Sequence, residues 1–312
     1  MIMTVKGPIS ESSLGRSLVH EHIMCDFSGA EESSRDKYNR EEVIKTMLPF
    51  VESIKDYGFS SFFDCTPKYI GRDVEVLLRL SELSGINIIT NTGYYGAGND
   101  KFLPRFLYGL NEEEIAELWI KESKEGIEGT DIRPGFIKTG VDPSGLSEID
   151  KKLVTASAIT HLETGLTIAC HTGEGTCALE TLEVIKRCGV SPSALVIVHA
   201  DSIKDREVIF KLAEEGCWIE YDSIGSKPIE FYTGLIMETV EKGFISRLLL
   251  SHDAGWYTVG EPRGALDRIR PYTYIGESLI PRLIREGLDQ DTINSILVDN
   301  PCKAFAISVR KL

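Results

Sequence analysis

The chain lacks several things that would settle its class at once. It has seven cysteines, Cys25, Cys65, Cys170, Cys177, Cys188, Cys217 and Cys302, but no Cys-x-x-Cys and no even, regular spacing. That argues against a disulfide framework and predicts reduced, mostly buried thiols in a cytoplasmic setting. Met1 to Ser13 holds Lys6, Pro8, Glu11 and three serines but no apolar core, so no signal peptide is expected there. No run approaches the apolar length of a membrane span. Basic residues are in deficit: 34 Lys and Arg stand against 48 Asp and Glu, a net charge of −14. Phosphate contacts need clustered cations, so a nucleic-acid surface is not expected, nor an anionic membrane surface. A small anionic substrate stays admissible, because a local cationic pocket or a metal overrides the global field.

What the chain does have is bulk and rhythm. Its 312 residues are 42% apolar and 26% charged, the composition of a globular enzyme. After a lead-in over 1–15, strand-like and helix-like stretches alternate. Strands are expected over 17–25, 59–65, 86–92, 133–138, 166–171, 194–199, 217–221 and 247–252. Helical spacing is expected over 41–57, 73–83, 111–124, 147–163, 177–188, 204–215 and 230–242, with closing helices over 277–312. Gly58, Gly85, Gly189, Gly216 and Gly243 punctuate the turns. Eight strands alternating with helices imply parallel pairing through right-handed crossovers. At this length they favour a closed (β/α)8 TIM barrel, with 1–312 as a single domain.

The chemistry collects where strands end. The first carries His20 and His22, two apart and so on one face. The fourth breaks from Gly135-Phe-Ile to Lys138. The fifth ends in His171, the sixth in His199, and the eighth in His252-Asp253. In a parallel barrel these tips share one rim, where barrel active sites sit. Taken singly, each has a bland explanation. A lone histidine is usually a satisfied core residue. Lys138 can run its stem to the rim, and Asp253 can cap a turn. His161 reads as a helix-surface residue and His252 as structural. Jointly, four histidines, one aspartate and one lysine on a common rim make a two-metal site the better reading. A lysine amine kept neutral there can take up carbon dioxide, and the carbamate can bridge two cations.

His20-Glu-His22, Lys138 after Gly-Phe-Ile, His171-Thr-Gly, His199-Ala-Asp and Ser251-His-Asp253, in that order, resemble the phosphotriesterase family of the amidohydrolase superfamily. Gly7-Pro-Ile-Ser, the Asp73-Val segment and Asn300-Pro301 extend the resemblance over nearly the whole chain. It implies a soluble hydrolase with His20, His22 and Asp253 at a more buried metal and His171 and His199 at a more open one. Carboxylated Lys138 would bridge both. It further implies a metal-bridging hydroxide as nucleophile, Asp253 as its proton acceptor, and a homodimer. Zinc is the default ion, with manganese, cobalt or iron admissible.

Metal ligands define a reaction class, and loops choose the substrate. The resemblance to lactonase-like members points to Tyr95 as a substrate contact. Lys227 and Arg263 are candidate anion contacts. Trp256 and Tyr257, directly after Asp253, are expected in the pocket wall. The first expectation is therefore a small carboxylic ester or lactone, a phosphorylated sugar lactone among them. Organophosphate or amide hydrolysis is the alternative, and a non-catalytic metal-binding barrel is the alternative of a different class.

Overall fold

A computed structural model describes residues 1–312. Two short strands, Ile2–Thr4 and Gly7–Ile9, pair antiparallel as a lead-in hairpin. The barrel strands follow: β1 (Arg16–Cys25), β2 (Phe59–Asp64), β3 (Asn87–Ile89, resuming at Asn91–Thr92), β4 (Phe136–Gly140), β5 (Thr167–His171), β6 (Leu195–Val198), β7 (Trp218–Tyr221) and β8 (Leu248–Leu250). Each pairs parallel with the next. At the seam between β8 and β1, the Asp253 amide donates to the His20 carbonyl at 3.1 Å and the His20 amide to Ser251 Oγ at 2.9 Å. A further strand, Gly255–Thr258, then runs parallel to the end of β1. The architecture is that of a (β/α)8 TIM barrel.

Helices form where the spacing predicts them, and several have capped ends. Asp73 accepts from the Glu75 and Val76 amides at the head of Val74–Ser84. Asn111 and Glu114 form a reciprocal capping box on Glu112–Glu125, as Ser147 and Asp150 do on Glu148–Thr164. Gly85 and Gly165 end their helices in the left-handed region. The closing helices occupy Ile280–Arg285, Gln290–Asn294 and Asn300–Phe305.

Two cores result from strand alternation. The larger fills the space between strands and helices. The smaller plugs the barrel with Val19, Phe63, Ile89, Phe136, Ala169, Val196, Trp218 and Leu249, and Phe305 closes it from below. Two residues further along four of these strands stand Cys65, Lys138, His171 and Glu220. Period-two alternation therefore lifts them onto the interior floor directly above the apolar plug.

β1 departs from this rule in a useful way. Its pairing with β2 slips between Leu18 and Glu21. The extra residue lets Val19 and His20 both face inward, whereas strict alternation would put His20 with outward Leu18. His161 corrects the sequence expectation. It is fully buried rather than on the helix surface. Its Nδ1 lies 2.8 Å from the Leu166 carbonyl, and its Nε2 accepts from the Arg310 amide at 2.9 Å.

Candidate metal centre

Four imidazoles form an arc around the mouth. Ring centroids lie 5.4 Å apart for His22 and His20, 5.2 Å for His20 and His199, and 4.4 Å for His199 and His171. Asp253 Oδ1 stands 3.0 Å from His22 Nε2 and 3.6 Å from His20 Nε2. Lys138 rises from the floor, 2% exposed, and its Nζ has no hydrogen-bond partner. These groups share a cavity of about 210 Å³ with Tyr95, Phe27, Phe102, Ile70 and Trp256. The six metal-ligand candidates are thus together.

The outer nitrogens are already engaged. His20 Nδ1 meets Glu220 Oε1 at 2.7 Å and Asp222 Oδ2 at 3.1 Å. His199 Nδ1 meets Asp222 Oδ1 at 2.5 Å, and the His199 amide donates to the same carboxylate at 2.9 Å. His22 Nδ1 lies 2.8 Å from Thr66 Oγ1, whose own proton goes to Asp64. With Nδ1–H donating to oxygen, these three rings offer an Nε2 lone pair, the tautomer a ligating histidine needs. His171 Nδ1 lies 3.0 Å from the Tyr95 hydroxyl.

Two groups bring potential ligand atoms within 4.8 Å of one another: His20, His22 and Asp253, and His20, His199 and Asp222. The second owes its closeness to hydrogen bonds, since both Asp222 oxygens are taken by Nδ1 and amide protons. Asp222 therefore orients the His20 and His199 rings rather than offering a free oxygen.

Electrostatics agree with a cation site. Burial, reinforced by Lys138, holds His20 down to about 4 against the pull of Asp222 and Asp253. Burial, His199 and Lys138 push His171 well below its ordinary value. Burial also disfavours charge on His199, but Asp222 outweighs it and raises that ring. Burial opposes charge on Asp253 as well, yet His22 and His20 hold its carboxyl far below the usual range. Glu220 goes the other way, pushed well up by burial and by Asp222. The Lys138 amine, buried beside these imidazoles, has no hydrogen-bond partner of its own. A divalent cation pair with a carboxylated Lys138 fits these donors.

The loop residues divide. Tyr95 and Trp256 line the cavity, with the Trp256 ring 5.7 Å from His22. Tyr257, expected in the wall, is buried in the outer core against Gly264, because alternation along Gly255–Thr258 turns it away. Lys227 is exposed, 4.2 Å over the Phe231 ring and donating to the Asp201 carbonyl. Arg263 lies exposed on the loop after Gly260 and borders none of this cavity. Sequence reasoning missed Asp222, Glu220, Thr66 and Glu21. For two of them a signal existed: Glu220-Tyr-Asp222 repeats at the end of β7 the every-other spacing of His20-Glu-His22.

The strand tips of this parallel barrel bring together four imidazoles, a carboxylate and an unpaired lysine, a donor set that could hold metal ions. The model of the Phosphotriesterase family matches residues 1–305. The chain belongs to the phosphotriesterase family. It is 28% identical over 310 residues to the aryldialkylphosphatase of Saccharolobus solfataricus, covering 96% of this chain and 98% of that protein. It is 24% identical over 342 residues to the N-acetyltaurine hydrolase of Homo sapiens, covering 96% of each. A mutant of an organophosphorus hydrolase from Deinococcus radiodurans superposes with a TM-score of 0.89 at 26% identity, covering 98% of this chain and 97% of that one.

Proposed function

We propose that this phosphotriesterase-family hydrolase uses two divalent cations to cleave a carboxylic ester or lactone. His20, His22 and Asp253 would hold one cation, His171 and His199 the other, and carboxylated Lys138 both. Zinc is the default ion. The observation that carries this reading is the buried, partnerless Lys138 Nζ in a cavity with the four histidines and Asp253. When bound, such a pair polarises the scissile carbonyl and acidifies a water near neutral pH.

The protein's own groups do the rest. Asp253 Oδ1, ionised and beside His22 Nε2, accepts the attacking water's proton and passes it to the leaving oxygen. The Tyr95 hydroxyl, 3.0 Å from His171 Nδ1, orients the substrate carbonyl. Phe27, Phe102, Ile70 and Trp256 keep bulk water out. The inner cavity is compact and chiefly apolar, which suits a small neutral ring better than a triester with two alkoxy arms. Phe27 and Trp256 also border an outer chamber of about 800 Å³ that can take the remainder of a longer substrate.

The test is metal analysis plus turnover. About two equivalents of metal per chain are expected. Lactone and aryl-ester hydrolysis should exceed hydrolysis of a dialkyl aryl phosphate or an N-acyl aminosulfonate, and Asp253→Asn should abolish it. The relatives' names favour the phosphate and amide classes as second readings, and a reversed ranking would select one of them. A folded protein that binds no metal and turns over none of the four would be a structural barrel.

A further inference from the structure

Asp253 stands on a backbone that ordinary side chains avoid. Its φ is +47°, in the left-handed region. Such a conformation persists only where its surroundings over-determine it. Here nearly every backbone polar group of the turn is gripped. The His252 and Ala254 amides, one on each side, donate to the two oxygens of Glu21, both at 3.0 Å. The Asp253 amide donates to the His20 carbonyl. From the other side Arg270 donates to the His252 and Asp253 carbonyls, both at 3.3 Å.

Glu21 is fully buried and also accepts from Ser251 Oγ at 2.8 Å and His252 Nδ1 at 2.6 Å. His252 Nε2 in turn accepts from the Ile275 amide at 2.9 Å, tying the turn to the closing helical segment. Glu21 sits between His20 and His22 but faces away from the cavity, as alternation requires. One strand thus sends two imidazoles into the site and, from its other face, the carboxylate that grips the segment carrying Asp253. None of these bonds touches the Asp253 side chain. They set its Cα, and the Cα sets how far Oδ1 lies from His22 and His20.

The geometry points to Glu21, assisted by Arg270, as a positioning residue that holds Asp253 left-handed and so keeps its carboxylate at the His20–His22 cation position. The catalytic consequence rests on the metal-hydrolase reading above; the structural one does not. Glu21→Gln keeps the size but turns one oxygen into an amide N–H facing a backbone N–H.

Three measurements on the full chain decide it. Hydrogen exchange should show the His252 and Ala254 amides opening at least about ten-fold faster, with β4 amides unchanged. Cobalt(II) titration, read by its visible spectrum, should weaken one equivalent by about ten-fold or more and leave the other within about two-fold. Lactone turnover should lose kcat with KM nearly constant, and Glu21→Asp should recover part of it. Unchanged local exchange, unchanged cobalt binding, or exchange rising equally throughout the barrel would each overturn the assignment. If Glu21→Gln does not fold, Arg270→Lys carries the same measurements from the carbonyl side. Should the wild type hydrolyse no ester or lactone while exchange and cobalt results hold, the substrate reading falls and the positioning role stands.

Discussion

Asp222→Asn tests the centre most sharply, because Asp222 serves one histidine from each half of the site. Its carboxylate accepts His199 Nδ1 at 2.5 Å, the His199 amide at 2.9 Å and His20 Nδ1 at 3.1 Å. Asparagine keeps one acceptor oxygen and loses the charge. A hydrogen bond to a charged group is worth about 1.5–3 kcal/mol, roughly ten- to a hundred-fold in an equilibrium constant. The loss should not be shared equally. His20 has a second acceptor, Glu220 Oε1, at 2.7 Å, and stays oriented. His199 has no other Nδ1 partner. The cation served by His199 should therefore weaken by about ten- to a hundred-fold, the range typical of lost orienting carboxylates, while the other stays within about three-fold. Competition against a chromophoric chelator resolves the two equivalents, with circular dichroism and a urea midpoint confirming the fold. Equal weakening of both equivalents, or of neither, would refute the reasoning.

Lys138→Met replaces a 2%-exposed amine that has no partner. The metal-free protein should resist urea by about 1–3 kcal/mol more than the wild type, while bound metal falls below about two per chain. His161 supplies a pH dependence far from the centre: burial lowers its folded value, and its Nε2 must stay unprotonated to accept from Arg310. The unfolded chain then binds the extra proton first. Stability should be fully present above about 6.5 and fall as pH drops from there toward the lower folded value. His161→Gln should flatten that limb in urea midpoints taken between pH 5 and 8. Gly93→Ala should cost about 3 kcal/mol or more in thermal unfolding, since its φ is +126° and a Cβ would stand 2.0 Å from the Lys138 carbonyl oxygen. Tyr95→Phe should lower lactone kcat/KM by about ten-fold with metal content unchanged; an unaltered rate would remove Tyr95 from the substrate's surroundings.

Strand tips were the most legible part of the molecule. His20, His22, Lys138, His171, His199 and Asp253 follow apolar runs, and parallel topology sends all such ends to one rim. His252 was legible as structural because it is adjacent to Asp253, and alternation turned it to Glu21. The loop residues were not legible. Tyr257 and Lys227 follow strand tips about as closely as Trp256 does, and Arg263 lies further along the same loop as Trp256, yet only Trp256 and Tyr95 reach the cavity. A loop side chain points where distant partners allow, here Gly264 for Tyr257 and Phe231 for Lys227. His161 looked like a surface residue because its partners, Leu166 and Arg310, come from a turn and from the chain's far end.

The sequence by itself determined the periodicity of each element, the caps that bound the helices, and the residue types at strand ends, because these depend on neighbours within a turn or two. Only the tertiary structure decided that a slip in β1 turns His20 inward, that Asp222 joins two histidines from different strands, and that Glu21 grips the segment carrying Asp253. Those outcomes come from hydrogen bonds between residues twenty to more than two hundred positions apart, whose geometry exists only once the barrel has closed.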